Sequence, residues 1–431
     1  LNITGVVVEY NPFHNGHLYH LKSSKEITDA DAVVAVMSGN FVQRGEPALF
    51  DKFTRAEAAV KSGVDLVIEL PSLYATQSAE IFSYGAAALL NSLSCINSIC
   101  FGSEAGNTEV LSASAKILSS EPESFRQKLS EYVKSGMLFA TARSLALYDY
   151  INETSCDNVS FEKDEFINIM NSSNNILGLE YMKALLSLKS NISPFTIERI
   201  SSSYNSPVIE SSIASATSIR NSFSASDDLH SVPDIIKGCV PETTAVTIQK
   251  KLDDGFLPVF SGDFFEQIIT IVLRDRNILA DIFEISEGIE NRILKASLTA
   301  QNISELESMI KTKRYTMTRV KRCLNNILLG IKKEDVKKAM SLKEIPYMRI
   351  LAFGEKGRDI IREVKKSSDI KIINKFSEIE HFMDDENFRL LMEYDIKCTD
   401  IYNSVYYKNR RELLKGSMDY YIKPIYIKND Y

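Results

Sequence analysis

The chain has 431 residues, 44% hydrophobic and 25% charged, with a formal net charge of −7. This composition excludes a disordered or fibrous chain; no apolar run is long enough to span a bilayer and no basic, cleavable leader opens the chain, so a cytoplasmic protein of about two to four domains is expected. Six cysteines without a C-x-x-C pair argue against a zinc ribbon or a disulfide framework, and the acidic total disfavours nucleic acid unless charge is locally reversed.

The first predicted strand, Val6 to Val8, runs through a turn at Pro12 into His14-Asn15-Gly16-His17 and a helix predicted over Leu18 to Thr28. Three of the five histidines, His14, His17 and His20, fall in this stretch. A strand feeding a helix start aims unpaired N–H groups and the positive end of the helix dipole at an anion. Gly16 lets a ligand or backbone approach, and imidazoles at His14 and His17 can donate to phosphoryl oxygens as charge builds on them. Zinc fits poorly, because the stretch has no cysteine and its only carboxylate, Glu9, precedes the turn. The plainer reading is a pair of ordinary loop histidines. In this strand-to-helix setting His-x-Gly-His resembles the signature of the nucleotidyltransferase superfamily, whose members activate the α-phosphate of ATP.

Further strands are predicted over Asp31–Met37, Val64–Leu70, Ile96–Phe101 and Phe195–Ile200, separated by helices over Lys52–Ser62 (behind an Asp51 cap) and Gln77–Ser92. The alternation predicts an α/β, Rossmann-like domain with a parallel sheet over residues 1–230, interrupted by helical residues from about 107 to 191. Ligands in such sheets lie outside the carboxyl ends of the strands, where strand order reverses. There Gly102 would let a base or ribose lie on the backbone, and Arg44, in the long loop after the second strand, could meet an anion. Asn174 and Asn175 read either as a helix cap or as amides against a nucleotide. Ser215, Thr217 and Arg220 place hydroxyls and a guanidinium at a later helix start, suited to the β- and γ-phosphates.

Residues 231–343 read as a helical domain with one basic segment. From 311 to 338 ten basic residues stand against two acidic ones, Glu334 and Asp335. Lys311, Lys313, Arg314, Arg319, Lys321 and Arg322, with Tyr315 available for stacking, read as an RNA footprint, the plainer alternative being a solvated helix face. Residues 344–431 are expected to form a C-terminal domain packed on the helical region.

Several long motifs stand in one order. They are Val7-Val8-Glu9-Tyr10-Asn11-Pro12-Phe13-His14-Asn15-Gly16-His17-Leu18-Tyr19-His20, Met-Ser-Gly-Asn-Phe-Val-Gln-Arg-Gly-Glu-Pro47, Phe-Gly-Ser-Glu104, Asn-Asn-Ile-Leu-Gly178, Ser-Ala-Thr-Ser-Ile-Arg220 and Lys-Thr-Lys-Arg-Tyr-Thr316. By these the chain resembles the bacterial tRNA(Met) cytidine acetate ligase family over nearly its whole length. The resemblance implies an enzyme that uses ATP and acetate to acetylate the wobble cytidine of elongator tRNA(Met), with ATP contacts at Val7 through His20, Gly102, Asn174, Arg199 and Ile200. Two positions depart from the family pattern: Ser173, where proline is usual, and Asn205, where histidine is usual. A Mg²⁺ ion on the phosphates is compatible with this chemistry, but the sequence names no protein ligand for it. No obligate protein partner is expected. The alternatives are adenylylation of a small metabolite, and an ATP-sensing RNA-binding protein without catalysis.

Overall fold

The second strand shows why the sheet forms where it does. Val33, Ala35 and Met37 alternate with Val34 and Val36 onto two different apolar clusters, one on each face of the sheet. A strand covered on both sides reads as an uninterrupted apolar run, as this one does. The computed structural model describes residues 1–104, 106, 108–154, 162–199 and 214–428. Its strands are β1 (Ile3–Val8), β2 (Ala32–Ser38), β3 (Phe41–Val42), β4 (Glu46–Pro47), β5 (Leu66–Leu70), β6 (Ser98–Ser103), β7 (Ser193–Glu198), β8 (Tyr347–Phe353), β9 (Lys371–Ile373) and β10 (Ile425–Tyr426).

The parallel strands lie in the order β5-β2-β1-β6-β7. Strand order therefore reverses between β1 and β6, and the crevice above their carboxyl ends is the ligand position of a doubly wound sheet. Helices Asn15–Ile27, Lys52–Lys61 and Ala79–Ser92 follow the first three parallel strands, as predicted. Asp51 caps the second, accepting from the backbone N–H of Phe53 and Thr54. Between β6 and β7 the described residues are helical, ending in helix Ser173–Leu188.

The expectation for residues 344–431 needs correction. Helix Glu386–Tyr406 does pack on the helical region, against helices Met317–Leu329 and Lys333–Ser341. The same segment also extends the sheet: β8 runs antiparallel beside β5, and β9 and β10 run parallel beside β8. The sheet thus joins the first and last segments of the chain, because β5 has an open edge that only a strand from the far end covers. Two tyrosines of this segment serve packing: Tyr402 is buried with its hydroxyl donating to the Ala48 carbonyl, and the Tyr406 ring stacks on Phe256.

Beneath this joint lies a cluster of buried charges. Lys52 Nζ donates to both oxygens of Glu69 at 2.9 Å and to Thr399 at 2.9 Å, and pairs with Asp419. Arg349 Nη1 meets Asp419 at 2.8 Å and Glu69 at 3.3 Å. Two cations thus face two carboxylates, a balance that makes burial of all four tolerable. Beside them Asp395 accepts from the Ser72 N–H and the Tyr347 hydroxyl, and burial followed by the nearby Glu69 charge raises its carboxyl to about 7.

Candidate active site

His14 is the N-cap of helix Asn15–Ile27, and the cap is reciprocal. Nδ1 of His14 accepts from the Gly16 N–H at 3.0 Å, while Nδ1 of His17 accepts from the His14 N–H at 3.3 Å. The two rings stack with centroids 3.7 Å apart. Burial, then the positive charges of Arg199 and Arg220, lowers His14 to about 3; His17 is held well below its ordinary value by burial and the neighbouring imidazoles and Arg199; burial and Arg199 bring His20 to about 4. The rings are therefore neutral at physiological pH. A neutral imidazole that accepts at Nδ1 carries its proton on Nε2, so His14 is a donor at its outer nitrogen, while the His17 ring N–H is shared with the Pro12 carbonyl.

The expectation of free N–H groups at this helix start is not met. The Asn15 N–H donates to the Cys239 carbonyl at 2.9 Å, that of Gly16 to His14 Nδ1, and those of His17 and Leu18 to the His14 carbonyl. An anion here would meet imidazole Nε2–H groups, guanidinium groups and the helix dipole in place of a cradle of N–H groups.

Around the histidines the fold gathers residues distant in sequence. A Cβ placed on Gly102 would sit 3.0 Å from Arg199 Cγ and 3.8 Å from His20 Cδ2, so the bare backbone of β6 makes room for both. Arg199 Nη1 donates to Asn174 Oδ1 at 2.7 Å. Asn174 in turn donates through Nδ2 to Glu104 Oε1 at 2.6 Å. Glu104, and not an asparagine, caps helix Ser173–Leu188, accepting from the backbone N–H of Asn174 and of Asn175. This settles the cap reading of the Asn pair: Asn175 is fully buried, joined to Glu104 and to the Ile169 carbonyl, while Asn174 is turned to Arg199.

On the other side Arg220 Nη1 donates to the Asn11 carbonyl at 3.1 Å and Nη2 to Thr217 Oγ1 at 3.2 Å, which docks helix Ala216–Ser224 on the first loop. Ser215 caps that helix, accepting from the Ser218 N–H at 3.1 Å. Val7, Val8, Tyr10 and Phe13 pack beneath this end of the sheet, and the Phe13 and Tyr10 rings meet that of His17. Ile200 lies outside the described residues, as does Asn205.

Sequence reasoning missed one organiser. Arg55, buried, donates Nη1 to the Glu9 carbonyl, Nε to the Phe50 carbonyl and Nη2 to the carbonyls of Ser38 and Gly39. It ties the carboxyl ends of β1 and β2 to the helix that follows. An arginine in a helix carries no local sign of such a role, whereas Glu104 stood inside a motif already singled out.

The basic segment is less open than its sequence. Arg314 and Arg319 pair with Glu287, Arg322 with Glu284 at 2.9 Å, and Lys321 with Glu46 at 2.5 Å. Tyr315 is not available for stacking: it is 5% exposed, its hydroxyl donates to the Glu287 carbonyl, and the Arg314 and Arg319 guanidinium carbons lie 5.9 and 5.4 Å from its ring centre. Lys311 and Lys313 are exposed.

The profile of the HIGH Nucleotidyl Transferase family matches residues 1–416. The tRNA(Met) cytidine acetate ligase of Clostridium perfringens is 42% identical over 431 residues, covering 99% of both chains. That of Clostridium tetani is 45% identical over 378 residues, covering 87% of this chain and 90% of its own. The chain belongs to this family. A crystal structure of Thermotoga maritima TmcAL bound with alpha-thio ATP, 33% identical, superposes with a TM-score of 0.90 over the whole of both chains. Membership accounts for a histidine pair at the β1–β6 switch point in a HIGH nucleotidyltransferase fold. Among the described residues no helix is long and apolar enough to cross a membrane.

Proposed function

We propose that the protein is an ATP-dependent ligase that activates acetate as acetyl-adenylate and transfers the acetyl group to the exocyclic amine of the wobble cytidine of elongator tRNA(Met). The observation that carries this reading is the stacked His14–His17 pair that caps the first helix, flanked by Arg199 and Arg220 at the switch point. In the first step an acetate oxygen attacks the ATP α-phosphorus and pyrophosphate leaves. Charge grows on the non-bridging oxygens, and the Nε2–H groups of His14 and His17 donate to them without losing their protons. Arg220, with Ser215 and Thr217, takes the leaving phosphates, while Gly102, Asn174 and Arg199 hold the nucleoside side. In the second step the cytidine amine attacks the acetyl carbonyl, AMP leaves, and the amine gives up a proton. A Mg²⁺ ion on the phosphates is compatible with this chemistry.

Residues 231–343 present the RNA in this reading, with the exposed Lys311 and Lys313 foremost, since RNA is read largely through splayed single-stranded bases. The carboxylate pairing of Arg319, Lys321 and Arg322 favours a second reading, adenylylation of a small metabolite. One experiment separates them: ATP, radiolabelled acetate and total bacterial tRNA are incubated with the protein, and the digested nucleosides are resolved. ATP-dependent label in acetylcytidine, lost in His14→Asn, supports the ligase. Label in acetyl-adenylate alone sinks the RNA step.

A further inference from the structure

A run of hydrogen-bonded side chains leads from the end of β6 to the end of β7, by way of the start of helix Ser173–Leu188. Its first member is Glu104, one residue past β6. Oε2 of Glu104 accepts from the Asn175 N–H at 3.1 Å, and Oε1 faces the Asn174 N–H at 3.4 Å. The main chain of Glu104 is held as well, its N–H donating to Asn175 Oδ1 at 2.9 Å. Asn175 is fully buried, and its Nδ2 is fixed to the Ile169 carbonyl at 2.9 Å. Glu104 therefore rests on a rigid support through both its backbone and its side chain.

The second member is the Asn174 amide, and its orientation is dictated from both sides. A carboxylate only accepts and a guanidinium only donates. Glu104 Oε1 takes Asn174 Nδ2 at 2.6 Å, which leaves Oδ1 to accept from Arg199 Nη1 at 2.7 Å. Arg199 follows β7 directly, with its own N–H donating to the Ser103 carbonyl at 3.1 Å, and its side chain lies across the bare backbone of Gly102. Asn174 is partly exposed. Without an acceptor at position 104 its amide would turn over and set an NH2 group against the guanidinium, donor against donor.

We propose that Glu104 is a positioning residue for the nucleotide: it fixes the Asn174 amide so that the amide oxygen holds Arg199 over Gly102. This rests on the proposed roles of Asn174 and Arg199 toward the nucleoside. Glu104 acts through Asn174 alone, so its effect lies in ATP affinity and leaves the chemical step untouched.

The test measures the ATP Kd by calorimetry, and KM and kcat for ATP in acetate-dependent ATP–pyrophosphate exchange, in the wild type, E104Q, N174D and E104Q/N174D. E104Q keeps an oxygen for the Asn175 N–H but turns an NH2 group toward the Asn174 amide, and N174D sets one carboxylate against another. Each single variant is expected to raise Kd and KM by about three- to tenfold, the worth of one hydrogen bond, with kcat within about twofold of the wild type. In the double variant the new amide donates to the new carboxylate, which still accepts from Arg199, so Kd and KM should return to within about twofold of the wild type. Helix capping by itself would leave E104Q close to the wild type and give the double variant no advantage over N174D. Either of those results overturns the proposal, and the ligase reading stands so long as exchange is seen. If Kd follows the expected pattern but the wild type shows no acetate-dependent exchange, the ligase reading falls and the role of Glu104 toward the nucleotide stands.

Discussion

Two clusters of buried titratable groups on this sheet are built to opposite rules. Under the joint of β5 and β8, Lys52, Arg349, Glu69 and Asp419 form ion pairs with one another within the protein. At the β1–β6 switch point, His14, His17 and His20 are stripped of charge by burial and by the guanidinium groups near them, and the inner nitrogens of His14 and His17 are used up in capping a helix. The first cluster is closed and can only hold the fold together. The second sets imidazole donors and two guanidinium groups around one crevice, and an anion for them to share is what a nucleotide supplies.

The comparison breaks first at the closed cluster. Lys52→Met removes one cation and leaves Glu69 and Asp419 facing Arg349 alone, so chemical denaturation should register a loss of about 3–5 kcal/mol. A loss under about 1 kcal/mol would mean that water reaches the cluster. At the open site the cost should appear in activity: His14→Asn keeps a cap acceptor but removes the Nε2 donor, and should slow acetyl-adenylate formation by about 10²–10³-fold with a stability change of about 1 kcal/mol or less. Equal losses in rate and stability would show that the histidine is merely structural.

Two smaller effects sharpen it. Asp395, raised to about 7, stays protonated in the folded state over a range where the unfolded carboxyl, near 3.9, has ionised. The folded protein then binds more protons than the unfolded one, so this group's contribution to stability falls as pH rises from about 4 to about 7. Asp395→Asn should therefore gain on the wild type across that window, which thermal melts at pH 5 and pH 8 would read. The histidines run the other way: with folded values below the unfolded value near 6.5, their contribution is lost as pH falls through that value toward about 3 for His14 and about 4 for His20. Smallest, replacing the exposed Lys311 or Lys313 by alanine should reduce the salt dependence of tRNA binding by about 0.7–0.9 in log–log slope for each phosphate no longer neutralised, with little effect on adenylate formation.

Much of the sheet was legible because its strands are apolar on both faces and their helices carry ordinary caps. β8 was not, for two reasons. Arg349 interrupts its apolar run, and the carboxylates that neutralise it come from Glu69 and Asp419, remote in sequence. The basic segment misled in a similar way. Tyr315 among arginines reads as an exposed stacking platform, yet its ring is buried beside two of those arginines and the Glu287 carbonyl takes its hydroxyl. Local composition reports how much charge a segment carries and is silent about which charges are already spent.

By itself the sequence determined the parallel α/β core, the histidine-bearing loop at the end of β1 and the family to which the chain belongs, because each is written in contiguous residues whose periodicity and spacing reflect local physics. Only the tertiary structure decided that the helix-start N–H groups are occupied, that Arg199 meets Asn174, that the last segment of the chain completes the sheet, and that Glu46 stands between Arg220 and Lys321. Each of these is a meeting of groups far apart along the chain, and charge and hydrogen-bonding capacity acquire their meaning from the partner that folding supplies.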